Sequence, residues 1–429
     1  MLQLAPRLKL RSTAALLSLS LLAACGGQQE ATAPPAAAPQ PAAPPSTAVI
    51  YEGARVIVGD GSVMDDATFV VDGGQFTAVG ASGAVDVPDG AERIDLAGAT
   101  VMPAIIDTHV HLSRERDALI EDLRRRAYFG VSAAMSLGQD EGEPVFQLRN
   151  EPQGEGLALY RTAGRGITAP EPGRSDIPHW VTTVEEARAA VQEEAALGVD
   201  IIKIWVDDRD DQFDKLTPEL YGAVIDEAHA NNLRVVAHLF DLEDAKGLVR
   251  AGVDAFAHGV RDMDVDDEFI ELVKANPDFV LGPNLPGRGV VTDVSWLQGQ
   301  VTDEQFAQLQ QQAGAESPEA QEAFGIQARN LARMSEEGVT IVLGTDGNSP
   351  WGPHMEMEDM VAAGMMPLDV ITAATRNGAA YLRLDDRGTI ADGQRADFIV
   401  LDANPLDDIK NTRQIRSVYF AGEEVERGD

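Results

Sequence analysis

Six side chains in this sequence have the chemistry of a metal centre. They are His109 and His111 in DTHVH, Lys203 in DIIKIW, His238 in VAH, His258 in FAHG and Asp346 in GTDG. Residues i and i+2 of a strand point to one side, so the imidazoles of His109 and His111 face a common point. A single histidine at a strand end usually serves packing. Here four of the chain's seven histidines, one carboxylate and one lysine all close strand-like apolar runs. Clustered imidazole and carboxylate bind divalent metals, zinc best of all. Lys203 poses its own problem, because Ile201, Ile202, Ile204 and Trp205 around it all favour burial. An isolated buried ammonium costs several kcal/mol or gives up its charge. The ordinary solutions are snorkelling to the surface or pairing with Asp207 or Asp208.

These residues need a frame that brings distant strand ends together. Strand-like runs occur at Val101–Asp107, Val131–Met135, Gly156–Thr162, Asp200–Trp205, Arg234–His238, Ala255–His258, Phe279–Pro283 and Thr340–Gly344. Amphipathic stretches such as TVEEARAAVQEEAALG, ELYGAVIDEAHANN and EDAKGLVRAG separate most of them and stop at Asn or Gly, as helices do. Eight β/α alternations over residues 102–385 predict an α/β fold of the (β/α)8 TIM-like barrel type, whose chemistry sits at the carboxyl ends of the strands. The connection from Asn284 to Val339 is long enough to hold an insertion with helices. Residues 48–101 and 386–429 are rich in short β-patterned runs broken by Gly, Asp and Pro. They predict a small β-sandwich built from both ends of the chain.

The first residues read differently. Arg7, Lys9 and Arg11 precede an apolar run from Ala14 to Ala24 that ends in Leu22-Ala23-Ala24-Cys25-Gly26. This is the pattern of a signal peptide over residues 1–24, too short to span a bilayer. The Leu-Ala-Ala-Cys run resembles the lipobox of bacterial lipoproteins. That resemblance implies a lipidated Cys25, a membrane anchor, and an exported protein at the periplasmic face of the outer membrane or the cell surface. Residues 25–47 form an Ala/Pro-rich tether. Cys25 is the only cysteine, so no disulfide is expected in the body. The net charge is −36, and loss of the three leader cations would take it to −39. Such a surface repels phosphate backbones and argues against a nucleic-acid partner. A small-molecule substrate is the expected partner, and self-association into a homo-oligomer is left open.

MPAIIDTHVHL, the lysine in the middle of the barrel, the two single histidines, GTDG and the closing GTIADGQRADFIVLDANPL together resemble the amidohydrolase superfamily. They are most similar to its imidazolonepropionase-like and Xaa-Pro-dipeptidase-like branches, over about residues 48–429. The resemblance implies two divalent ions, zinc by preference. His109, His111 and Asp346 would hold one and His238 and His258 the other, with Lys203 carboxylated to a bridging carbamate. It implies hydrolysis of an amide or related C–N bond by water activated between the metals, with Asp346 as the catalytic proton shuttle. Candidate substrates are dipeptides and N-acyl amino acids. A lactonase, a cyclic-imide hydrolase or a deaminase on the same site is the alternative, and a non-catalytic metal- or solute-binding lipoprotein is a third reading. Dipeptidases of the family often place a tyrosine right after the fifth-strand histidine; this sequence has Leu239-Phe240 there.

Candidate substrate-binding residues are Arg261, in HGVRD, as a carboxylate clamp, and His354, in GPHMEME, as a hydrogen-bonding or metal-orienting group. Trp205 and Trp351, with Trp180 and Trp296, are expected at or just beyond strand ends, where they could line a pocket. His179 falls in a loop, and His229, inside a helix, reads as structural.

Overall fold

The computed structural model describes residues 47–427. The expected leader, the lipidation site at Cys25 and nearly all of the tether lie outside these residues. No helix among them is long and apolar enough to cross a membrane.

The two ends of the chain form one sheet. Its order runs Glu423–Glu424, Ile415–Phe420, Phe398–Leu401, Thr100–Pro103, Val49–Ile57, Val63–Asp72 and Gln75–Ala81, with Glu92–Asp95 pairing beside Val49–Ile57. Thr100–Pro103 joins the two ends: it runs parallel to Val49–Ile57 and antiparallel to Phe398–Leu401. Gly73 and Gly74, both at positive φ, make the two-residue turn between Val63–Asp72 and Gln75–Ala81. The sandwich expected from the sequence is instead a continuous sheet curled on itself. Phe76 N donates to Gln394 O, and Ala396 N donates to Gly74 O. Tyr51, Phe69, Phe76 and Phe398 fill the enclosed core, with Tyr51 stacked on Phe69 at 4.8 Å.

The middle of the chain supplies parallel strands. Seven of them order as His179–Trp180, Ile167–Thr168, Ile202–Val206, Val235–Leu239, Ala255–Phe256, Val280–Leu281 and Thr340–Ile341. Ile105–Val110, Val131–Ser136 and Leu159–Thr162 form a second parallel sheet. Hydrogen bonds link the two sheets at both edges, among them Thr108 N to Leu343 O at 2.9 Å and Asp200 N to Thr162 O at 2.9 Å. The expected single ring of eight strands is thus two ladders. The third expected strand stops at Thr162, the chain turns at Gly164 (φ +61°), and Ile167 then pairs with Ile204. The first expected strand is also divided. Thr100–Pro103 belongs to the terminal sheet, and the chain passes to the second ladder at Ala104, whose N–H bonds to Asp397 O.

Ile105–Val110, Val131–Ser136, Ile202–Val206 and Val235–Leu239 are buried throughout. Parallel strands covered by helices on one face and side-chain layers on the other need this pattern. Burying each Ile or Val of these strands contributes about 1.5–3 kcal/mol. The helices begin where their caps predict. Thr183 and Glu186 form a reciprocal capping box at the start of Val184–Leu197, and Gly198 ends that helix in the left-handed conformation. Thr217 caps Pro218–Ala230. The long connection after Asn284 holds the helices Asp303–Gln312 and Pro318–Glu336.

Candidate metal centre

Strand register puts the first part of the site in place. Lys203 lies level with Val236 and Trp205 level with His238 across adjacent parallel strands, so all four point to the same side. The second part comes from the contact between the first and last strands. Both Thr345 N and Asp346 N donate to His109 O, at 3.1 and 2.8 Å. Asp346 is held at φ +51° and Asn284 at φ +41°. Non-glycine residues in this region are strained, and such strain collects at functional sites.

His111 Nε2 lies 2.9 Å and His109 Nε2 3.2 Å from Asp346 Oδ1, and His258 Nε2 lies 3.6 Å from Asp346 Oδ2. The rings of His109 and His258 are 5.3 Å apart, and those of His238 and His258 are 4.5 Å apart. One ligand atom each from His109, His111 and Asp346 fall within 4.8 Å of one another, a spacing that fits one ion. His109 Nε2, His111 Nδ1 and Lys203 Nζ are buried with no hydrogen-bond partner. Buried polar atoms without partners are rare and need an explanation; a cation held with Asp346 fits the His109 Nε2.

The electrostatics follow from burial. Burial brings the Lys203 ammonium down to about 7, with Asp346 pulling the other way. Burial, aided by the Lys203 charge, holds His109 well below the usual histidine range. Burial lowers His238 to about 3 despite its bond to Asp207, and burial and the neighbouring His238 lower His258. All three are therefore neutral near pH 7, the form that binds metal. Burial alone would raise Asp346, but His109 and His111 outweigh it and hold the carboxyl well below its usual range. Neither Asp207 nor Asp208 pairs with Lys203. Asp207 instead bonds His238 Nε2 at 2.9 Å and the Arg209 guanidinium, and Asp208 lies 3.4 Å from Lys215.

The structure brings Trp205 to the site and leaves Trp351 and His354 away from it. The Trp205 ring covers Lys203, with Nζ 5.4 Å from its centroid. Gly166 makes room for it, since a Cβ there would come within 2.1 Å of the indole. Trp351 and Trp296 pack against Phe129, and Trp180 pairs beside Thr168, so the four indoles do not wall one pocket. His354 is fully buried, its ring nitrogens bonded to Thr412 Oγ1 at 3.1 Å and Phe129 O at 2.9 Å. Neither nitrogen is left for a substrate, and the role expected for it is corrected to a structural one. His229 pairs with Asp254 and His179 with Glu194, at 2.9 and 2.7 Å. Arg261 reaches the site: its Nη2 is 2.6 Å from His258 Nδ1.

The supporting roles of four residues escaped the sequence reading. Asp107 is wholly buried, accepts from His109 N and Thr345 N, and pairs with buried Arg126 at 3.0 Å. Arg126 also donates to Gly347 O, tying the first strand to the GTDG turn. Asn284 contacts His109 Nδ1 and donates to Ala257 O. Asp207 holds His238. Only Asp107 carried a usable signal, as an acidic residue inside an otherwise apolar strand.

The chain is similar to known proteins over most of its length. Residues 171–425 match the model of the amidohydrolase family. Ochratoxinase of Aspergillus niger is 30% identical over 308 residues, which are 68% of this chain and 57% of that enzyme, so the chain spans little more than half the length of this relative. Imidazolonepropionase of Salinispora arenicola is 28% identical over 340 residues, 74% of this chain and 81% of the relative. Among solved structures, a prolidase candidate from Bifidobacterium longum superposes with a TM-score of 0.73 at 28% identity, covering 90% of this chain and 96% of that one. A match of this extent, with the imidazoles and Asp346 gathered at the strand ends, means that the chain belongs to the amidohydrolase family.

Proposed function

We propose that this protein is a metal-dependent hydrolase of amide or related C–N bonds in small molecules. One observation carries the reading: His109, His111 and Asp346 present ligand atoms within 4.8 Å of each other, beside a buried Lys203 Nζ without a partner. His109, His111 and Asp346 would hold one divalent ion and His238 and His258 a second, with zinc favoured by the donor set. Bound there, such ions polarise a carbonyl oxygen and bring the pKa of water towards 7.

The chain's own residues do the rest. Lys203, at about 7, holds a large share of neutral amine near neutral pH. That amine can add CO2 and release a proton, becoming a carbamate. The carbamate is an anion suited to lie between two cations, which answers how a lysine can sit there. Asp346, ionised and in contact with His111, takes a proton from the attacking water and passes it to the leaving nitrogen. An amine leaves poorly unless protonated, so the site needs this shuttle. Trp205 covers the lysine and limits water at Nζ.

We also infer that the two parallel ladders close as a (β/α)8 barrel, supported by the hydrogen bonds at both of their edges. The Cys25 motif supports export and lipid anchorage, with the body held off the membrane by the tether. Cys25→Ser should release the protein from membranes, and persistent membrane fractionation would defeat the anchor.

The deciding experiment measures metal content and hydrolysis of an amide and ester panel before chelation, after it, and after zinc is restored. Zinc-dependent amide cleavage is expected. Two ions per chain with no cleavage of any amide would instead favour a binding protein.

A further inference from the structure

We propose that Arg261 recognises a substrate carboxylate, so that the compound cleaved at this site carries a free acid beside its leaving nitrogen, as an N-acyl amino acid or a dipeptide does. The proposal rests on the hydrolase reading above and narrows its substrate class.

Three observations point to it. Of the two guanidinium groups at the site, Arg261 is the one that lacks an anion. Arg209 is neutralised by Asp207 and Glu171. Arg261 has no carboxylate within ion-pair distance among the described residues. The two acids nearest in sequence are engaged elsewhere: Asp262 accepts from Leu242 N, and Asp264 pairs with Arg329. Second, its Nε is buried without a hydrogen-bond partner. The Nε–H and the remaining Nη–H form a two-donor edge that matches the two oxygens of a carboxylate. Third, the guanidinium is held in place before any ligand arrives. It lies 4.3 Å from the centroid of the Phe240 ring, and Arg261 N donates to Phe240 O at 2.8 Å. Preorganisation of this kind lowers the entropy cost of binding.

The position sets which side of the bond bears the acid. His258 separates Arg261 from Asp346: its Nδ1 meets Arg261 Nη2 at 2.6 Å and its Nε2 faces Asp346 Oδ2 at 3.6 Å. One imidazole therefore spans the distance from the proposed proton shuttle to the carboxylate donor. Asp346 must reach the leaving nitrogen, so the acid lies on that nitrogen's side, about one amino acid away.

The test uses N-acetyl-L-phenylalanine, N-acetyl-L-leucine and N-acetyl-L-proline, each paired with its neutral primary carboxamide. The zinc-loaded protein should cleave the acids with kcat/KM about 10- to 150-fold above the carboxamides, the range expected for hydrogen bonds to a charged group. Arg261→Gln should lose most of that ratio through KM, and Arg261→Lys should recover part of it. Calorimetry on the metal-free protein gives a readout without turnover: acids should bind at least about 10-fold more tightly than carboxamides in the wild type and lose that preference in Arg261→Gln. Equal binding and equal kcat/KM within each pair overturn the carboxylate assignment and leave the hydrolase reading untouched. Preferential binding of the acids, with no cleavage of any compound here or in the amide and ester panel, overturns the hydrolase reading instead.

Discussion

Replacing Arg126 by methionine tests what holds the His109–Asp346 contact in shape. Arg126 and Asp107 are both fully buried, 3.0 Å apart. Burial pushes the Asp107 carboxyl up and the Arg126 guanidinium down, each opposed by the other's charge. Removing one member of such a pair costs about 3–5 kcal/mol, because the other is left buried and uncompensated. Asp107 keeps its bonds from His109 N, Thr345 N and Thr345 Oγ1, and can take up a proton. That places Arg126→Met near the lower end, about 3 kcal/mol. Gly347 O also loses its donor, so the GTDG turn should loosen and zinc affinity should fall about 10- to 100-fold. The assay is urea unfolding of wild type, Arg126→Met, Asp107→Asn and the double variant, with zinc affinity measured by chelator competition. In Asp107→Asn an amide N–H faces the guanidinium donors, so the double variant should be about 1–3 kcal/mol more stable than the sum of the single losses implies. A loss below about 1 kcal/mol for Arg126→Met, or single effects that add within about 0.5 kcal/mol, would refute the claim that this pair braces the site.

Other consequences can be read separately. Lys203→Ala should leave a folded protein with fewer than two metals per chain by elemental analysis; retention of both removes the bridging role. Asp346→Asn should lower kcat about 10²- to 10⁴-fold at unchanged fold by circular dichroism, and full turnover would place the proton shuttle elsewhere. His354 is lowered to about 4 by burial, so the unfolded chain takes up that proton first as pH falls. Stability attributable to it should be complete above about pH 6.5 and decline towards pH 4 by up to about 3 kcal/mol, and His354→Gln should flatten that part of the profile in denaturant melts. An unchanged slope would mean that the buried imidazole does not govern it.

The site was more legible in the sequence than the ladders that carry it. His-x-His, the buried lysine and GTDG are chemistry written locally, and each needs only a strand end to be read. Arg261 could be noted for its place in HGVRD, but its lack of an anion depends on where Asp262 and Asp264 turn. His354 and Trp351 sit next to the GTDG motif in the chain, yet their helix Gly352–Ala362 turns them onto Phe129, a contact that sequence spacing does not encode. The run Val101–Asp107 reads as one apolar strand. Its division between two sheets depends on Asp397, almost 300 residues later, receiving the Ala104 N–H. The third strand ends at Thr162 as the sequence reads, but the separate pairing of Ile167 with Ile204 just beyond it is set by a distant strand. Long-range pairing of this kind leaves no local periodicity to find.

The lacing of Thr100–Pro103 between Val49–Ile57 and Phe398–Leu401 has a consequence for biogenesis. The earliest strands to leave the ribosome cannot complete their sheet until the last have been synthesised. Pairings this far apart form slowly, and the waiting hairpins expose β edges that other chains could capture. A nascent chain truncated before Phe398 should therefore keep that edge open and aggregate, however well its middle has folded.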